Sequence, residues 1–65
     1  MKIFPSAGGR RLWVRTDAAA ATTDDDIINA ANQYVRRSRK VATITGKRTD
    51  AATGHTWYEL RVRHP

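Results

Sequence analysis

The chain has 65 residues, carries twelve Lys plus Arg against six Asp plus Glu, and contains no cysteine. That length allows one domain, 1–65, with a thin core. The lack of thiols excludes disulfide staples and thiolate metal sites, which fits a reducing compartment. The surplus of positive charge favours polyanions such as nucleic acid or an acidic protein.

"MKIF" is followed by Pro5, Ser6 and two glycines, so no signal-peptide apolar region is expected. No stretch approaches the ~20 apolar residues that cross a bilayer, and the chain reads as cytoplasmic with no membrane partner. Residues 2–5, KIFP, read as a short edge strand ended by Pro5, and SAGG as a turn. Closed as a hairpin, that turn would bring Ile3 opposite Leu12. Residues 11–16, RLWVRT, are the first firm strand. Their alternation sends Leu12 and Val14 to one face and Arg11, Trp13 and Arg15 to the other. The segment 17–22, DAAAAT, has no large side chain to anchor a helix and reads as a connection.

A helix is predicted over 23–39. On a wheel of 3.6 residues per turn, Ile27, Ile28, Ala30, Ala31, Tyr34 and Val35 fall in an arc of roughly 160°, wide enough to cover a sheet. Asn29, Asn32, Gln33 and Arg36 fall opposite. Thr22 or Thr23 can cap the start. Asp24, Asp25 and Asp26 suit the positive end of the helix dipole, and Arg36, Arg37, Arg39 and Lys40 the negative end.

Residues 41–47 and 55–63 read as the strands of a hairpin, with Asp50 opening the turn and Gly54 near its end. Pairing residues whose numbers sum to 104 sets Ala42 against Val62, Ile44 against Leu60 and Gly46 against Tyr58. The other face then carries Thr43 against Arg61, Thr45 against Glu59 and Lys47 against Trp57. The expected fold is α+β, of (β)βαββ order: a three- or four-stranded, mostly antiparallel sheet with one amphipathic helix on one face. Strand 11–16 lies beside 55–63, with 41–47 on the far side. Leu12, Val14, Ile44, Tyr58, Leu60 and Val62 meet the helix.

One helix covers one face. The uncovered face is expected to hold Arg11, Trp13 and Arg15, then Val41, Thr43, Thr45 and Lys47, then His55, Trp57, Glu59, Arg61 and Arg63. Such a surface suits single-stranded DNA or RNA, with bases stacked on indoles and cations on phosphates. It also suits protein contact, since Trp and Arg are enriched at binding hot spots, and a self-complementary contact would make a homodimer. The plain structural use is a cross-strand pairing of Trp13 with Trp57 under arginine stems. Arg11, Trp13, Arg15, Lys47, Trp57, Arg61 and Arg63 are the candidate binding residues.

Other chemistry finds little support. Adjacent carboxylates in TDDD point about 100° apart on a helix and cannot converge on one ion. RRSRK has the types for a phosphate contact or a nuclear-type basic run, but complementing the helix dipole is the favoured reading. SAGG lacks phosphate-loop spacing. His55 and His64 are too few for a zinc site, and no serine, histidine and carboxylate set is placed together. Neither an enzyme nor a cofactor is expected. A DNA-reading helix using Asn29, Asn32, Gln33 and Arg36 has apt residue types. It would, however, carry Asp25 and Asp26 toward phosphates and lacks a partner helix.

A compact chain rich in alanine and arginine, with one helix and a turn-rich hairpin, resembles the small orphan proteins encoded by phages and prophages of GC-rich bacteria. The resemblance is one of general style over the whole chain. It implies a host-takeover or accessory role and carries no residue assignment. The expected function is non-enzymatic binding of nucleic acid through the open face, with a protein partner or self-association as the alternative.

Overall fold

The computed structural model describes residues 1–17 and 22–65; most of the predicted 17–22 connection lies outside them. Strand β1 spans Lys2–Pro5, β2 Arg11–Arg15, helix α1 Asp24–Val35, a 3-10 turn Arg36–Ser38, β3 Val41–Thr49 and β4 Thr56–Arg63. The strands form one antiparallel sheet in the order β1-β2-β4-β3. Strands β2 and β3 therefore run the same way on either side of β4, joined through the helix. The α+β fold with a four-stranded sheet is the one expected.

Leu12 and Val14 from β2, Ala42 from β3, and Tyr58, Leu60 and Val62 from β4 are buried against Ile27, Ala31 and Val35 of α1, with Ile3 and Ile44 packed at the margin. Each large apolar side chain so buried contributes about 1.5–3 kcal/mol. The helix stripe is narrower than the wheel implied. Tyr34 remains 50% exposed, and the α-helix ends at Val35, passing through the 3-10 turn to Arg39 in the left-handed conformation.

The helix start follows from its sequence. Asp26 N–H donates to Thr23 Oγ1 at 3.2 Å, and Thr23 N–H donates back to Asp26 Oδ2 at 3.1 Å, a capping box that satisfies two end donors at once. Asp24 has a separate use: its Oδ1 accepts from the buried Tyr58 hydroxyl at 3.2 Å and lies 3.7 Å from Lys47 Nζ. At the other edge of the sheet, the Met1 ammonium pairs with Asp17 at 3.2 Å. Its hydrogen bond and its charge hold the Asp17 carboxyl below the usual range.

Asn32 corrects the expectation of a wholly solvent-facing polar stripe. It is half-buried, and its Oδ1 accepts from Ala42 N–H at 3.0 Å while its Nδ2 donates to Ile28 O at 2.9 Å and Ala42 O at 3.4 Å. Strand β3 is an edge, and edges present unpaired backbone groups. Asn32 occupies both outward groups of Ala42 much as a neighbouring strand would.

Two registers differ from those predicted. Ile3 pairs with Val14, and Pro5 with Leu12, because the first turn closes on Ser6 and Arg11 through a 3.0 Å bond from Ser6 N–H to Arg11 O. In the second hairpin the pairs from Val41 to Ile44 match the prediction, but beyond them Gly46 faces Glu59, Lys47 faces Tyr58 and Arg48 faces Trp57. The turn imposes this. Asp50 N–H bonds His55 O at 2.8 Å and Gly54 N–H bonds Asp50 O at 2.7 Å, with Gly54 at φ 76°. The loop thus closes in a register one residue away from that of the core pairs. A bulge at Thr45 and Gly46 absorbs the difference and reverses the facing of every later β3 side chain.

Replacing Asn32 by Ala should lower stability by roughly 1–3 kcal/mol, since it leaves half-buried backbone groups of Ala42 without partners. Urea denaturation reads this directly, and an unchanged midpoint would remove Asn32 from its role at the edge. Lys47 offers a second test. Tyr58, whose ring it overlies, and then the Asp24 charge, hold its ammonium above the ordinary 10.5. A raised folded-state value stabilises below the unfolded value and is lost as pH climbs through the folded one. The expected Lys47 titration by NMR is therefore shifted upward in the alkaline range and returns toward its ordinary value in Tyr58→Phe, with stability near neutral pH independent of this group's titration.

Candidate nucleic-acid interface

The face of the sheet opposite the helix reads as rows across the strands, because directly paired antiparallel residues point the same way. One row runs Lys2, Arg15, Trp57 and Arg48. The next runs Phe4, Trp13, Glu59 and Gly46, and the third Arg11, Arg61 and Thr43, with Arg63 beside Val41 beyond it. Six of the seven candidate residues, Arg11, Trp13, Arg15, Trp57, Arg61 and Arg63, lie on this face. Lys47 does not. The bulge turns it to the helix side, over the Tyr58 ring at 5.4 Å, and puts Arg48 where Lys47 was expected. Trp13 and Trp57 are diagonal neighbours rather than a facing pair, each opposed on the adjoining strand by another residue, Glu59 and Arg15.

Lys2, Phe4 and Arg48 lie on this face and were missed from sequence. Phe4 is brought in by the β1 register, and it is 40% exposed while Trp13 is 37% exposed. The expected pairing of Ile3 with Leu12 already implied this face for Phe4, opposite Arg11; the observed register moves it beside Trp13. Arg48 required knowledge of the bulge. The one available signal for it was the loop itself, whose closing pair, Asp50 and His55, sums to 105.

The aromatic end is preassembled. Phe4 and Trp57 approach to 5.6 Å between centroids with planes tilted by 34°. The Arg15 guanidinium carbon lies 5.9 Å from the Phe4 ring centre and 5.8 Å from that of Trp57. This is cation–π geometry on both rings, and it fixes a long side chain that would otherwise sweep solvent. Arg15 Nε is buried without a hydrogen-bond partner among the described residues, so the ring faces rather than a carboxylate stabilise the group.

Charge on the face is uncompensated. Among the described residues the ion pairs are Met1 with Asp17 and Lys47 with Asp24, and neither uses an arginine. Arg11 directly opposes Arg61, an arrangement that costs stability without an anion between them. Glu59 is the one acid within the four strands. It is held by Thr45, whose hydroxyl lies 3.1 Å from Glu59 Oε1 and 3.2 Å from the Glu59 carbonyl oxygen. A hollow of about 870 Å³ opens here, bounded by Phe4, Trp13, Trp57 and Glu59 and by residues 46–51 of β3 and its loop.

His55 has a structural use: its Nδ1–H donates to Thr16 O at 2.8 Å. It thereby helps tie the end of β2 to the start of β4, alongside the bond from Thr16 N–H to Thr56 O at 2.9 Å. No group of three metal-ligating side chains occurs among the described residues, and no helix among them is long and apolar enough to cross a membrane. Asn29, Asn32, Gln33 and Arg36 line a second, shallower hollow, but Asn32 is committed there to Ala42. Compared with protein-family models, curated proteins and solved structures, the chain matches none of them.

Two arginines of this face should respond oppositely to truncation. Arg11→Ala relieves a like-charge pair and is expected to be neutral or to stabilise by up to about 0.5 kcal/mol at low salt, whereas Arg15→Ala strips packing from two rings and costs about 1 kcal/mol. Thermal melts of both variants at low ionic strength measure the difference. Equal losses would mean that Arg11 and Arg61 do not repel.

Proposed function

We propose that this protein is a small non-enzymatic module that binds single-stranded nucleic acid through the open face of its sheet. The supporting observation is the exposed Trp13, set among Phe4, Trp57 and arginines that have no carboxylate partner. Bases stack on aromatic faces with roughly 1–3 kcal/mol per base, and arginines follow the phosphates. Phe4, Trp13 and Trp57 supply the first component, and Arg11, Arg15, Arg48, Arg61 and Arg63 supply the second. A phosphate between Arg11 and Arg61 would convert a repulsive pair into a bidentate site. A single strand suits the geometry because its bases are free to splay onto a sheet, whereas in a duplex they are stacked on one another.

Self-association through the same face is the weaker reading. A two-fold contact would set Lys2, Arg11, Arg15, Arg48, Arg61 and Arg63 against a second copy of the same cations, with Glu59 as the only acid from the paired strands to offset them. An acidic protein partner meets the charge but does not use the flat aromatic surface as fully.

Titration with short single-stranded DNA and RNA at low salt should quench tryptophan fluorescence and move amide resonances on β2 and β4. With five arginines on phosphates, the slope of log affinity against log salt is expected to be roughly −3.5. Trp13→Ala should weaken binding about tenfold, the equivalent of one lost stacking contact, with little change in melting temperature. Resonances on β2 and β4 that stay unmoved at low salt would end this proposal, and a concentration-dependent dimer without nucleic acid would favour self-association.

A further inference from the structure

The acid at the centre of a cationic face is the feature that phosphate binding leaves unused. Glu59 directly opposes Trp13 across β2 and β4, and Trp57 follows two residues earlier on its own strand. Side chains so opposed have Cβ atoms about 5 Å apart. A planar base stacked on the Trp13 indole would lie within reach of the Glu59 carboxylate. Thr45 engages Oε1, Oε2 has no hydrogen bond among the described residues, and no arginine of the face comes within ion-pair distance. Gly46, opposite Glu59 on the other side, has no side chain to close the hollow there.

We infer that Glu59 makes the hollow selective among nucleobases, favouring those that present N–H donors and disfavouring those that present carbonyl oxygens. This rests on the nucleic-acid reading of the face and adds a specificity to it. An ionised carboxylate only accepts hydrogen bonds. Guanine offers it two adjacent donors, N1–H and the N2 amino group, a bidentate match. Adenine and cytosine offer one amino group. Uracil and thymine place carbonyl oxygens on both sides of a single N–H, so a carboxylate meeting that edge faces repulsion. The preference runs guanine first, then adenine and cytosine, then uracil and thymine.

The test uses the full chain and a fluorescently labelled short oligouridine whose central nucleotide is G, A, C or U, with affinities read by anisotropy at low salt. The G-centred strand should bind roughly tenfold tighter than the all-U strand, the effect of one bidentate base contact. Glu59→Gln should compress that ratio toward one, because a glutamine amide can accept from uracil N3–H while donating to O4. The ratio is the readout, since removing a negative charge raises affinity for every strand. If the wild-type protein binds all four strands within twofold, or if Glu59→Gln keeps the ratio, selectivity by Glu59 is overturned while nucleic-acid binding stands. If no strand binds at low salt, the underlying reading falls and takes this one with it. The wild-type ranking needs no variant, so it decides the matter even if Glu59→Gln folds poorly.

Discussion

A four-stranded sheet with one helix has one face to bury and one face to spare, and most of this molecule follows from that inequality. Leu12, Val14, Leu60 and Val62 alternate with Arg11, Trp13, Arg15, Arg61 and Arg63 along the two central strands. The helix takes the first set. The second set has no element among the described residues to cover it, so its chemistry stays at the surface. A chain this short has little burial to spare, and placing two indoles and a phenyl ring outside the core is a substantial diversion of apolar surface. The structure limits the cost by letting Phe4 and Trp57 shield each other and the Arg15 guanidinium.

The edges of the sheet are handled by different means. Strand β1 is short, carries Lys2 and Pro5, and is tethered through the Met1 ammonium to Asp17. At β3 the Asn32 amide occupies the backbone of Ala42. Both are devices of the kind that protect exposed strand edges. They also explain why a polar residue near the middle of α1 is half-buried: its partner is a strand edge.

Electrostatically, the face combines cations that repel one another with one acid held by a hydroxyl group. Arg11 against Arg61 is a poor pairing for stability alone, and Glu59 would serve stability better as an ion pair with either of them. Locally unfavourable features of this kind are what the proposed binding role would account for, and they lie within one or two residues of the exposed Trp13.

The order of strands, the partner of β2, the capped helix and the aliphatic core were all legible in the residues themselves, because period-two and period-3.6 patterns encode which face is apolar. So was the separation of Trp13 and Trp57 from that core. Facing within the second hairpin was not. Two local rules, the turn from Asp50 to His55 and the core pairing of Ala42 with Val62 and Ile44 with Leu60, demand registers one residue apart, and only their meeting in three dimensions forces the bulge that exchanges Lys47 for Arg48. Likewise, Phe4 joined the aromatic group only once the Ser6 turn had chosen its register, and Asn32 found its partner only when the helix was laid beside β3. Alternation within a segment is a property of that segment. The offset between segments is decided where the hydrogen bonds that close a loop meet the pairing demanded by the core, and neither set alone reveals the conflict.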